Sequence, residues 1–228
     1  MDIRFLGQSC FELSGGGATV LVDPFLSGNP KAAVGRDDVS PDVILLTHGH
    51  ADHLGDTVDI ARRTGAPVLA VVELAAEIAD DLGDDHQVFD PNLGGTVKFD
   101  WGWVKLVPAW HSGTTPKGTV HPPAGLVIHY DGRTVYHLGD TALFSDLQLV
   151  ARRGDPIDVA LMCIGGHYTM DRLDAVEAAN LVGARQVIPC HYDTFPPIET
   201  DAQAFKADVE RATASEVVVL TPGQSHTA

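Results

Sequence analysis

His48-Gly49-His50-Ala51-Asp52-His53 puts three imidazoles and one carboxylate into six residues, just after the apolar run Val43-Ile44-Leu45-Leu46. A short continuous apolar run reads as a buried strand, so these polar groups sit where a strand ends and a loop begins. Neutral imidazole nitrogen and carboxylate oxygen are the donors that zinc and similar divalent ions accept. The plainer alternative is a solvated histidine-rich loop with no ligand. Trp110-His111-Ser112 follows the run Val104 to Pro108, and Leu138-Gly139-Asp140-Thr141 follows Val135-Tyr136-His137. Pro189-Cys190-His191-Tyr192 follows Val187-Ile188, and Asp23 follows Thr19-Val20-Leu21-Val22. Polar groups gathered at strand ends along one sheet edge are how β and α/β folds build a site.

The surrounding chain supplies those strands. Asp2 to Leu6, Cys10 to Leu13 and Thr19 to Val22 read as β, with Ser14-Gly15-Gly16-Gly17 as a turn. A helix is expected from Gly55 to Arg63, a strand from Val68 to Val72, and a helix from Leu74 to Leu82 closed by Gly83. Four strands follow, Thr96 to Phe99, Val104 to Val107, Gly125 to Tyr130 and Thr134 to His137, the last pair joined at Asp131-Gly132. The final third alternates. Helices are expected over Leu143 to Arg152, Asp174 to Val182 and Asp201 to Ala212, and strands over Val159 to Cys163, Gln186 to Ile188 and Val217 to Leu220. A β-rich stretch followed by β/α units thus occurs twice, and two sheets packed face to face with helices outside satisfy that pattern. Only Gln224 to Ala228 reads as a disordered tail.

Composition narrows the function classes. At 228 residues the chain can bury its core as one domain, 1–228, or as a tightly fused pair of halves. No basic stretch leads into an apolar one at the start, and no apolar run nears the roughly 18 residues of a membrane span, so a cytoplasmic protein is expected. The formal net charge of -16 sets repulsion against any nucleic-acid backbone. Arg62-Arg63 and Arg152-Arg153 are isolated pairs near expected helix ends, where cations suit the macrodipole. Cys10, Cys163 and Cys190 make an odd count without CxxC spacing, which argues against disulfides or a zinc ribbon. They read as small core residues, with a nucleophilic Cys190 as the lesser alternative.

Taken together, the strand-end residues resemble the metallo-β-lactamase superfamily, with motifs in order from Asp23 to His191. Gly7-Gln8-Ser9, Thr47 to His53, Gly165-Gly166-His167-Tyr168-Thr169-Met170 and Pro189-Cys190-His191-Tyr192 are similar to one branch of small bacterial and archaeal metal-dependent hydrolases. That branch lies near the ascorbate-6-phosphate lactonases and, more distantly, N-acylphosphatidylethanolamine phospholipase D. The resemblance implies an α/β fold, a four-layered αβ/βα sandwich. It also implies two divalent ions, zinc foremost with manganese, nickel or iron as alternatives. His48, His50 and His111 would hold the first; Asp52, His53 and His191 the second; Asp140 would bridge them. The implied enzyme uses a metal-bridging hydroxide on a small ester, lactone, amide or phosphodiester.

Several residues keep two readings. Asp52 binds metal, orients the hydroxide, or both. Asp23 fixes a histidine tautomer, or only turns the chain before Pro24. His167 is the candidate general acid or substrate anchor, against a plain loop histidine, with Tyr168 and Tyr192 as weaker donors. The Gly/Pro-rich loop 112–124, with Lys117 and His121, is a lid or a connector. His129 and His137 read as structural, His86 as solvated, and Trp101, Trp103 and Trp110 as packing aromatics. A nuclease acting on single-stranded nucleic acid and a non-hydrolytic metal-binding or redox protein are the rival functions. A small-molecule substrate is the expected partner, and association into homo-oligomers is left open.

Overall fold

Alternate residues along the central strands face two different cores in the computed structural model, which describes residues 1–150 and 156–228. The first half holds β1 (Asp2–Gly7), β2 (Cys10–Ser14), β3 (Val20–Val22), β4 (Val43–Leu45), α1 (Ala51–Leu54), α2 (Thr57–Thr64), β5 (Val68–Leu69), α3 (Val72–Leu82) and β6 (Val88–Phe89). The second half begins with β7 (Thr96–Phe99), β8 (Gly102–Pro108), β9 (Ala124–Tyr130), β10 (Arg133–His137) and α4 (Leu147–Val150). It continues with β11 (Val159–Cys163), α5 (Arg172–Val182), β12 (Gln186–Cys190), α6 (Ala202–Ala212) and β13 (Glu216–Val217). β14 (Ser225–Thr227) returns to the first sheet.

The described strands form two seven-stranded sheets, ordered β14-β1-β2-β3-β4-β5-β6 and β13-β12-β11-β10-β9-β8-β7. Val43 and Leu45 of β4 point into the core between the sheets, as do Val159 and Leu161 of β11. Ile44 and Leu46 point the other way, onto Leu74, Ala75 and Ile78 of α3. Ala160 and Met162 likewise meet Ala175, Ala178, Phe205 and Val209 of α5 and α6. Period-two side chains therefore bury both faces of each sheet, which is why these strands read as continuous apolar runs. The result is the four-layered αβ/βα sandwich expected from the sequence.

Local chemistry moved some boundaries. The helix expected over 55–63 is α2, starting at Thr57, and the short α1 before it ends at Gly55, whose φ is 44° and whose Cβ position would fall against the Pro24 carbonyl. β5 stops at Leu69, because Val71 is already the extended residue that precedes α3. The strand expected over 217–220 is β13 alone. The tail is corrected outright: Ser225–Thr227 pairs antiparallel with β1, Ile3 opposite His226, and the Thr227 hydroxyl donates to Asp2 at 2.6 Å. α4 starts at Leu147 and not Leu143, and the Arg152-Arg153 pair lies outside the described residues. Arg63 donates to the Val39 carbonyl at 2.6 Å. Among the described residues, no helix is long and apolar enough to cross a membrane.

Candidate metal centre

Strands β1, β3, β4, β8, β10 and β12 all run toward one edge of the sandwich, and their C-terminal ends deliver Gln8, Asp23, His48, His111, Asp140 and His191 there. The sheets are stitched together at that edge. Ala124 donates its N–H to the Thr47 carbonyl at 3.0 Å, and His191 donates its own to the Gln8 carbonyl at 2.8 Å. The Trp110 N–H reaches the Thr141 hydroxyl at 3.0 Å, tying the His111 turn to the Asp140 turn. Gln8, Asp23, His167 and His191 turn there with φ between 46° and 56°, a left-handed conformation that non-glycine residues adopt at a cost of about 1–3 kcal/mol. Such strain persists only where the surrounding structure holds it in place.

Asp140 Oδ2 is the geometric centre. It lies 3.1 Å from His191 Nε2, 3.3 Å from His53 Nε2, 3.6 Å from His111 Nε2 and 3.9 Å from His48 Nε2. The donor atoms of His48, His50, His111 and Asp140 lie within 4.8 Å of one another, and those of Asp52, His53 and His191 do the same. Asp52 Oδ2 is 3.7 Å from His53 Nε2 and 3.6 Å from His191 Nε2. The seven residues named from the sequence as metal donors therefore meet at one place.

The hydrogen bonds behind them set the rings. Asp23 Oδ2 accepts from His53 Nδ1 at 2.8 Å and from the Thr47 hydroxyl at 2.6 Å, while its Oδ1 takes the Thr47 N–H at 2.9 Å. With its proton committed to Asp23, the Thr47 oxygen is left to accept from His48 Nδ1 at 3.0 Å. Both rings then carry a proton on Nδ1 and aim Nε2 inward, the atom left to bind a cation, at His53 once its second proton has gone. His53 Nε2 and Asp140 Oδ1 are buried without a hydrogen-bond partner, and His48 Nε2 faces His50 Nδ1 at 3.0 Å. Orphaned buried donors of this kind and converging lone pairs fit divalent cations.

The imidazoles divide by charge. Burial holds His48, His50 and His111 below the usual histidine range, and the neighbouring histidines push the same way. Burial also pulls on His53 and His191, but the Asp140 carboxylate outweighs it, with Asp23 adding at His53 and Asp52 at His191. His53 ends well above the ordinary value and His191 at about 9. Burial raises Asp140 and Asp52, yet His191 and His53 hold both below the usual carboxylate range.

A cavity of about 490 Å³ opens over this centre, lined by His50, Asp52, His111, Asp140 and His191 and by Gln8, Phe25, Ala51, Ser112, Tyr168 and Phe195. His167 is exposed and outside that lining; its ring stands edge-on to Tyr168, centroids 4.4 Å apart, and Tyr168 takes the place in the wall. The loop 112–124 is fastened down. His121 is buried and accepts the Gly49 N–H at 3.0 Å, and Thr115 donates to Glu77 of α3 at 2.6 Å. Burial lifts the Cys163 thiol to about 12 and Cys190 well above its ordinary value, so Cys190 is an inert core residue.

The other singled-out residues resolve into packing, with two corrections. His137 is buried and meets the Ser9 carbonyl at 3.0 Å, and His129 stacks on Trp103. Trp101 stacks on Phe99, but Trp110 is 68% exposed and is no core residue. His86 is not free in solvent either, since its Nε2 donates to the Ala66 carbonyl at 2.8 Å. Gln8, Phe25 and Phe195 were not foreseen as wall residues. The one signal for the two phenylalanines was an aromatic next to proline, just past a strand-end Asp23 or His191.

Residues 2–191 match the beta-lactamase superfamily domain. Over 224 residues the chain is 44% identical to the UPF0173 metal-dependent hydrolase of Thermococcus kodakarensis, covering 98% of each chain. It is 44% identical over 225 residues to that of Thermus thermophilus, covering 98% of this chain and 97% of the relative. A solved metallo hydrolase from the archaeon Ignicoccus hospitalis superposes with a TM-score of 0.88 at 35% identity, covering 99% of this chain and 97% of that one.

Proposed function

The chain belongs to the beta-lactamase superfamily domain family and is a metal-dependent hydrolase, and from that premise we propose that it holds two divalent cations, zinc foremost, and hydrolyses a small ester, lactone, amide or phosphodiester. The observation that carries this reading is the position of Asp140 Oδ2, within 3.9 Å of imidazole nitrogens from both donor sets. His48, His50 and His111 would hold one cation, Asp52, His53 and His191 the other, and Asp140 would reach both. When bound, such a pair supplies Lewis acidity, acidifying water and polarising the bond under attack.

The chain's own groups do the rest. Gln8 Nε2 donates to Asp52 Oδ2 at 2.9 Å, fixing the carboxylate that lines the cavity. Asp52 is thereby positioned to orient the attacking water by accepting its hydrogen bond. Asp23 and Thr47 keep His53 and His48 in the tautomer that leaves Nε2 free. Contact with the leaving group falls to Tyr168, with His167 packed against its ring as the positioning group. A cavity of about 490 Å³ suits a small molecule, and a net charge of -16 opposes a nucleic-acid strand.

The test is elemental analysis of the purified protein alongside a turnover screen of the four substrate classes, before and after exhaustive chelation. About two zinc-like ions per chain and activity that disappears with them are expected. Full activity in the stripped protein would overturn the proposal. Bound iron with a visible absorption band and no hydrolysis of any class would replace it with the redox reading.

A further inference from the structure

Two aromatic side chains from opposite halves of the molecule form one wall of the cavity. Phe25 comes from the turn after β3 and Phe195 from the turn after β12, with ring centroids 6.4 Å apart. Neither is a loosely hung surface ring. The segment carrying Phe25 is anchored by the buried Asp56 carboxylate, which accepts the Leu26 and Ser27 N–H groups at 3.1 and 2.7 Å. Asn29 donates to the Phe25 carbonyl at 3.0 Å, and Gly55 packs so tightly below that a Cβ there would meet Phe25 Cα at 2.7 Å. Phe195 precedes Pro196 and Pro197, which restrict the backbone, and its carbonyl accepts the Ile198 N–H at 3.0 Å. Tyr168 and Ala51 extend the apolar surface.

The charges of the lining point the same way. Among the described residues, no lysine or arginine lines the cavity, whereas Asp52 and Asp140 do. A phosphodiester brings its own negative charge to a lining whose positive groups are confined to the metal-facing histidines and the cations they would hold, and it meets the Asp52 and Asp140 carboxylates there, on a chain of formal charge -16. A neutral carbonyl compound carries no such penalty, and an apolar substituent on it gains burial against the aromatic wall.

We infer that this centre acts on a neutral ester, lactone or amide whose acyl part carries an apolar chain or ring, seated against Phe25 and Phe195. The reaction rests on the hydrolase reading above, but the binding preference does not. In the reaction, the oxygen of water joins the acyl carbon, the bond from that carbon to the ester oxygen or amide nitrogen breaks, and the leaving alcohol or amine takes a proton. The products are a carboxylic acid and that alcohol or amine, with no oxidant or reductant involved.

The experiment has two arms on the full chain. In the first, the metal-loaded enzyme is given 4-nitrophenyl esters from acetate to decanoate, the matching γ-lactones, and bis(4-nitrophenyl) phosphate. We expect kcat/KM to climb about fourfold per added methylene until the wall is covered, and the phosphodiester to fall below every carbonyl substrate. Phe25→Ala and Phe195→Ala should each flatten that climb, with metal content and melting temperature as fold controls. In the second arm, binding of N-methyloctanamide, whose chain is on the acyl side, and of dimethyl phosphate is followed by NMR on metal-stripped protein. Binding of the amide alone, weakened in both variants, supports the inference even if no substrate is turned over, an outcome that would sink only the hydrolase reading. A phosphodiester turned over faster than the esters, or a chain-length profile that is flat in the unmodified enzyme, overturns it. So does stripped protein that binds dimethyl phosphate in preference to the amide.

Discussion

The two sheets repeat one pattern, three antiparallel pairings followed by three parallel ones, yet they load their common edge differently. In the first sheet, the turn after β4 and the short α1 that follows it carry four of the donors, His48, His50, Asp52 and His53. In the second, donors come singly: His111 after β8, Asp140 after β10 and His191 after β12. The matching strands β3 and β10 make the contrast sharpest. Each is followed by a buried aspartate, but Asp23 turns outward to hold His53 and Thr47 while Asp140 reaches the centre. A shared strand-end position therefore fixes where a carboxylate sits along the edge and leaves its role to the neighbouring loop.

The largest effect should come from exchanging those two roles for nothing. Asp140→Ala removes the one oxygen near both donor sets. Elemental analysis should show both ions lost and turnover reduced by about 10³-fold or more, the scale of several kcal/mol of Lewis-acid stabilisation. Asp23→Ala should keep the donor set and weaken metal affinity by about 10–100-fold, since it frees the His53 ring without deleting a ligand. Equal losses in the two variants would erase the distinction between the halves.

The charge division among the imidazoles gives a second contrast. His48, His50 and His111 are already neutral near pH 7, whereas His53 and His191 are held protonated by Asp140. A cation entering beside His53 and His191 must displace their protons, so loading the stripped protein at pH 7 should release about two protons. Calorimetry in buffers of different ionisation enthalpy measures that number, and a value near zero would contradict the division. Stability follows with a definite sign. The folded values of His53 and His191 lie above their unfolded ones, so their contribution is complete below about pH 6.5 and is lost as pH rises toward about 9 at His191. Melting curves of stripped protein should fall across that window, and those of loaded protein should not.

The donors were legible in the sequence because each follows an apolar strand, and a strand followed by His or Asp is a local pattern. The cavity wall was not. Phe25 and Phe195 are 170 positions apart in the numbering, and nothing local marks either as facing the other. The same limit explains β14. Ser225-His226-Thr227 is too polar to read as a strand alone, and it becomes one only because β1 offers an unpaired edge to it. Gly55 shows the converse: its identity is plain, but the backbone of Pro24 and Phe25 that forces a break there is a tertiary fact. His121 was read as lid or connector, and the Gly49 N–H that fastens it comes from 72 residues away in sequence.

The smallest contrast lies in how the outer helices start. In the second half, Asp171 accepts from the Leu173 and Asp174 N–H groups at the head of α5, and Asp201 accepts from Gln203 and Ala204 at the head of α6. In the first half, the residues before α2 and α3 are Asp56 and Val71, and neither side chain caps its helix. Asp56 spends its carboxylate on the Leu26 and Ser27 N–H groups and so supports the Phe25 wall. Asp201→Ala should then lower stability by about 1 kcal/mol, the usual cost of a lost cap, with turnover unaffected. Asp56→Ala should leave the start of α2 as it was and instead weaken the discrimination between long and short acyl chains. Denaturant melts read the first effect and the chain-length profile reads the second; a cap-like loss with an unchanged profile in Asp56→Ala would mean that the carboxylate supports the helix and not the wall.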